Sequence, residues 1–197
     1  VTDFIDVIYK RRSIRKFTKE PVDKEVLTTL VKAGMAAPTA MNAQPWEFLI
    51  ITAPDTLARF RKALMFAKME APAAICVLGS NRGIKNFTGD RFWVQDCSAA
   101  TENILLAAVS MGLGGVWIGV HPVKIFERQV KNILNLPAGL TPLNLIYVGH
   151  PAEVKPARSQ YDEKKVHWEA FPKSGWKQPT TKIEEETLGG TDGISNL

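Results

Sequence analysis

The chain has 197 residues, 45% hydrophobic and 23% charged, the balance of an ordinary globular protein with enough length for a sizeable core. This content excludes wholesale disorder and collagen-like repeats, and no stretch approaches the ~18 uncharged apolar residues of a membrane span. Charge is out of line: 25 Lys and Arg against 20 Asp and Glu, net +5, suits a polyanion or a small phosphorylated molecule.

Residues 3–10 read as a short helix carrying Phe4, Val7 and Ile8 inward and ending in the basic run Lys10-Arg11-Arg12. A second helix starts with Asp23 as N-cap and places Val26, Leu27, Leu30 and Val31 at helical spacing. It frays before Pro38, because a residue preceding proline avoids the α region. Phe48–Ile51 is a short buried strand, 55–69 a helix stopped by Pro72, and Ala74–Leu78 a second strand. The long apolar segment 92–113 reads as a helix whose centre, Ile104 to Val109, is hydrophobic nearly all round and buried. Val116–Ile118 and Leu143–Val148 are two more strands. Between them, 122–134 is an amphipathic helix using Ile125, Phe126, Val130 and Ile133. After Gly149 the composition turns polar, with Trp168, Phe171 and Trp176 as apolar anchors. The organisation is a core over 1–150 and an extended arm over 151–197 that cannot form a core of its own.

Several common chemistries are absent. Gly112-Leu113-Gly114-Gly115 ends a helix and enters a strand, the reverse of a dinucleotide-binding loop, and reads as a helix cap with a tight turn. No Walker loop, GxSxG elbow or HExxH motif occurs, and His121, His150 and His167 are isolated loop residues, so no metal site is expected. Cys76 and Cys97 form no CxxC pair, and Asp96 beside Cys97 raises its pKa, against a nucleophilic thiol. Unpaired cysteines, and residues 1–6 without a charged start and apolar run, point to a cytoplasmic location. The aromatic residues lie in apolar runs rather than among Lys and Arg, which argues against nucleic acid as the partner.

Three constellations remain. In an extended Arg11-Arg12-Ser13-Ile14-Arg15, positions 11, 13 and 15 project to one side, a good phosphate cradle; the alternative is a basic helix terminus. The segment 37–48, APTAMNAQPWEF, offers small residues and two amides where a flat ligand can approach the backbone, or else a tryptophan plugging the core. Gln95 and Asp96 at the mouth of the apolar helix need partners, either buried polar groups or a ligand.

Taken together, RRSIRKF (11–17), APTAMNAQPWEF (37–48), FWVQDCSAATENILLAA (92–108), GVWIG (115–119) and VGHPAEVKPAR (148–158) resemble the flavin-dependent nitroreductase family, closest to its short members. The resemblance implies an α+β fold with a mostly antiparallel sheet flanked by helices, in an intertwined homodimer whose C-terminal arm wraps the partner. It implies FMN as cofactor, with Arg11, Arg12 and Ser13 on its phosphate and ribityl chain and Arg158 as a second phosphate-binding arginine. Arg15 resembles the cation at the pyrimidine edge. Pro38, Thr39, Ala40, Met41 and Asn42 resemble the loop that packs on the flavin from the other subunit. Ile118 and Gly119 resemble the backbone beside N5, although Val120 follows where the family often has a second glycine or an acidic residue. Longer members place an Asn and a Lys at the polar edge; Lys68 stands nearest to that role here, without a clear match. The implied activity is transfer of hydride from NAD(P)H through flavin N5 to an electron-poor nitroaromatic or quinone, with ping-pong kinetics. Arg15 and Gly119 are then the residues closest to the chemistry. Relatives of this fold imply two alternatives, a dehalogenating or flavin-cleaving reductase and a non-enzymatic flavin-binding redox module.

Overall fold

A computed structural model describes residues 3–80 and 89–171. Four strands, β1 (Trp46–Ile51), β2 (Ala73–Ser80), β3 (Gly114–Gly119) and β4 (Leu140–Gly149), form one sheet in the order β1-β2-β4-β3. Every pairing is antiparallel, as in Ile75 opposite Ile146 and Val116 opposite Tyr147. The helices are α1 (Phe4–Lys10), α2 (Lys24–Met35), α3 (Pro54–Ala63), α4 (Gly89–Ser110) and α5 (Lys124–Leu134). The expected α+β class is the one observed. The described residues fall into two units, one running to Ser159 and holding all these elements, the other starting at Gln160. In the second, a turn of 3-10 helix at Glu163–Lys165 is capped by Asp162, and the rings of His167 and Phe171 lie 4.2 Å apart. Trp176 lies outside the described residues.

All eight β2 residues are buried because helices cover both faces of the sheet. Side chains alternate along a strand, so Ile75 and Val77 join the core under α2 and α4, while Ala74, Cys76 and Leu78 join the one under α3 and α5. Leu27 and Leu30 of α2 and Ile104 of α4 fill the first; Phe60, Val130 and Tyr147 fill the second. Truncating a ring as buried as that of Phe60 costs about 3–5 kcal/mol in such a core.

The helices differ from expectation in informative ways. On α1 only Val7 is buried, whereas Phe4 and Ile8 face outward. Asp23 starts α2 through its carbonyl, which accepts from Leu27, but its side chain makes no cap. α3 stops at Ala63 instead of running to 69, because Leu64 turns extended so that Leu64 and Ala67 enter the core. Tyr147 donates its hydroxyl to Ala67 there. α4 buries one stripe, Cys97, Ala100, Thr101, Ile104, Leu105 and Ala108, and leaves Leu106, Ala107 and Val109 half-buried, so its centre is not enclosed all round. α5 begins at Lys124 and exposes Ile125 while burying Glu127. The glycine run after α4 behaves as expected: Gly112 takes φ +75°, and Leu113 donates to Ala108 at 2.8 Å.

Candidate functional site

After α1 the chain is extended from Arg11, which excludes a helical reading of the arginine run. Ser13 bridges in parallel to Gly115, and Ile14 donates to the Gly115 carbonyl at 3.0 Å. Ile14 points inward onto Gly114, where an added Cβ would come within 2.8 Å of its side chain, so only glycine permits this approach. By alternation Ser13 and Arg15 face the opposite side. The segment after β4 returns alongside. Ala152 donates to Lys16, Arg158 donates its backbone N–H to Tyr9, and the Arg12 guanidinium donates to Pro156. The main chain as far as Arg158 therefore runs beside that of Tyr9 to Lys16, along one seam. Arg11 holds an ion pair there, its Nε 3.1 Å from Glu102 on α4.

Arg15 lines a cavity of about 440 Å³ whose walls include Trp117, Ile118 and Gly119 of β3, with Phe66, Met69 and Phe126. A Cβ added at Gly119 would meet nothing within 4 Å, so no protein atom requires glycine at this point on the wall. Lys68 is elsewhere engaged, donating to the Arg61 carbonyl at the end of α3. His121, expected as an isolated loop residue, belongs to the cavity wall and is fixed on two sides. Its Nδ1 lies 2.7 Å from Glu127 Oε1, and its ring meets Trp93 edge-on at 4.8 Å. Because a carboxylate only accepts, Nδ1 is the donor. Burial pushes the Glu127 carboxyl up, but hydrogen bonds from His121 and Lys124 outweigh it and hold the group below the usual carboxylate range.

The loop Pro38–Asn42 does not line this cavity. Ala40 donates to Asp96 Oδ1 at 3.0 Å, which joins two of the sequence constellations and supplies one of the partners that Asp96 needed. The other oxygen, Oδ2, is buried with no hydrogen-bond partner among the described residues. Met41, Asn42 and Gln44 have φ of 51°, 53° and 47°, a left-handed backbone that costs about 1–2 kcal/mol for residues other than glycine and is milder for Asn. Thr39 Oγ1 accepts from Gln44 and helps to hold this shape, while Met41 is 72% exposed. Trp46 is a core residue packed near Phe48, so the plug reading holds for the tryptophan itself.

Buried Cys97 is held up to about 12 by burial first and Asp96 second, as expected of an inert thiol. Among the described residues no cluster of His, Cys, Asp or Glu could hold a metal, and no helix is long and apolar enough to cross a membrane. Sequence reasoning missed Glu153, Lys155, Phe66 and His121. Of these, Glu153 and Lys155 lie inside the quoted 148–158 motif, and His121 stands two residues after Gly119.

The nitroreductase family model matches residues 8–67 and 64–150. A Methanothermobacter thermautotrophicus protein, provisionally named NADH dehydrogenase/NAD(P)H nitroreductase, is 35% identical over 171 residues, covering 86% of this chain and 88% of its own. A solved Parabacteroides distasonis structure of the same provisional name is 38% identical, with TM-score 0.81, over 87% of this chain and 100% of that one. A provisionally named nitroreductase of Desulfovibrio desulfuricans, solved in complex with FMN, is 29% identical with TM-score 0.72, over 87% and 99%. The chain is a member of the nitroreductase family.

Proposed function

We propose that the chain is an FMN-dependent oxidoreductase that takes hydride from NAD(P)H and passes it to an electron-poor acceptor such as a nitroaromatic or quinone. The observation that carries this reading is the cavity beside Gly119, with Arg15 on its wall and the Arg11–Ser13 seam leading away from it. A glycine facing open space is what close approach of a flat ring requires, and a seam of guanidiniums suits a phosphate tail. The residues present therefore fit FMN. Arg11, Arg12, Ser13 and Arg158 would hold its phosphate and ribityl chain, and Ile118 and Gly119 would back the ring. When bound, FMN supplies the hydride-accepting and hydride-donating chemistry. Arg15 would supply a fixed positive charge on the cavity wall beside the bound ring, without transferring a proton. His121, oriented by Glu127, keeps its Nδ1 proton directed at that carboxylate. Apolar Phe66, Met69 and Phe126 limit water there.

The reading includes a homodimer. Phe4, Ile5, Ile8 and Tyr9 of α1 and Met35 of α2 are exposed, beside a groove that Phe4 lines together with Ala33, Leu106 and Ala107. Such an apolar face suits a second copy, and pairing would bring the partner's 38–42 loop over the ring. Tyr161, Trp168 and Phe171, exposed in a polar segment, are anchors for an arm on the partner. We assign the protein to the cytoplasm, where its two free cysteines would stay reduced. The test is anaerobic mixing of FMN-loaded protein with NADH or NADPH. The flavin absorption should bleach and then recover on addition of a quinone or nitroaromatic. Bound FMN that neither nucleotide bleaches contradicts the proposal.

A further inference from the structure

The backbone around Arg15 is held by residues with no role in the reading above. Ser13 bridges to β3, but four residues later Phe17 bridges to Pro151 with the opposite sense. Between these points the chain changes partner, and the N–H groups of Arg15 and Lys16 have no strand to donate to. Both go to one atom, Glu153 Oε1, at 2.5 and 3.2 Å. In a regular strand successive N–H groups point to opposite sides, so convergence on one oxygen requires a turned backbone, an anion-binding nest closed by the chain's own carboxylate. Lys155 completes the arrangement, its Nζ 3.2 Å from Glu153 Oε1 and donating to the Ser13 carbonyl at 2.6 Å. Ser13 and Arg15 are thus tied down at the backbone by one acid and one base two residues apart.

We propose that Glu153 and Lys155 are positioning residues that set the direction of Arg15 into the cavity and of Ser13 along the seam; the proposal rests on the FMN reading only for what Arg15 then touches. Neither acts on the ligand directly. The hydrogen bonds from Arg15 first, then from Lys155 and Lys16, also hold the Glu153 carboxyl below the ordinary range, so the clamp is charged at neutral pH.

The test begins with flavin-free protein, where amide exchange of Arg15 and Lys16 reads the clamp without any cofactor. Glu153→Ala should speed exchange of those two amides at least tenfold and leave the β2 and β4 amides unchanged. Glu153→Gln, which keeps an acceptor oxygen but loses the charge, should give a smaller increase and guards against a variant that fails to fold. With FMN added, Glu153→Ala should weaken binding about tenfold, the scale of a charge-assisted hydrogen bond lost. It should also lower the midpoint potential of bound FMN in the same direction as Arg15→Ala. The Glu153→Ala/Arg15→Ala double variant should go no further than Arg15→Ala alone. Unchanged amide exchange overturns the clamp, and additive shifts in potential overturn its action through Arg15. Failure of the unmodified protein to bind FMN overturns the functional reading instead, and the exchange result still stands.

Discussion

The two halves of the candidate site are built on opposite principles. Residues 11–17 are laced into their own chain, by Gly115 on one side and residues 150–158 on the other. The loop 39–44 is tied to α4 by the Ala40–Asp96 hydrogen bond, is braced by its own short-range bonds to Thr39 and Ala40, carries three left-handed residues, and exposes Met41. The first half is a rigid cradle finished within one chain. The second is a strained, outward presentation, and such backbone concentrates where a segment clamps something it meets. In the proposed dimer that is the ring held by the other copy.

The largest expected effect falls on the cradle. Arg15→Ala should weaken FMN binding by roughly ten- to hundredfold, the equivalent of about 1.5–3 kcal/mol, in a fluorescence titration. Its unfolding free energy should stay within about 0.5 kcal/mol of the parent, since the side chain is exposed. Asp96→Ala probes the other half. FMN binding should fall about fivefold as the loop slackens, and stability should change by less than about 1 kcal/mol, because losing the Ala40 bond is offset by removing the unpartnered Oδ2.

The cavity wall has a pH signature. Glu127 is held below its ordinary pKa, so its stabilisation is complete above that ordinary value and is lost as pH falls through the lowered one. Glu127→Gln should therefore be less stable than the parent at pH 7 by about 1–2 kcal/mol, the scale of hydrogen bonds to a charged group, the two denaturation curves converging in acid. Met41→Gly relieves the loop and should raise stability by about 0.5 kcal/mol while reducing FMN retention, a trade visible by measuring Tm with and without FMN. Smallest of all, Glu102→Gln removes the half-exposed competitor for Arg11 and should tighten FMN binding about two- to threefold.

Much of this is legible in the sequence. Strand positions follow from short β-branched runs, and all four expected strands lie inside observed ones, because a strand covered on both faces has no polar alternation to confuse it. Phe4 and Ile8 misled, since periodicity identifies an apolar face but not what covers it, and here the described chain leaves that face open. The 55–69 segment misled for a related reason: Leu64 and Ala67 satisfy a helical pattern, yet reach the core only once the helix ends. The arginines were readable from their own chemistry. Glu153 was not, because it acts through backbone N–H groups 138 residues away, and backbone donors leave no trace in residue identity. His121 looked isolated for a different reason: its side-chain partners Trp93 and Glu127 come from two different helices.

The central claim is that the cradle and cavity constitute an FMN site, and direct titration of the purified, flavin-free protein with FMN tests it. The account predicts quenching of flavin fluorescence that saturates at one FMN per chain, with a yellow protein surviving gel filtration. FMN that elutes entirely free, with no saturable quenching, would contradict it.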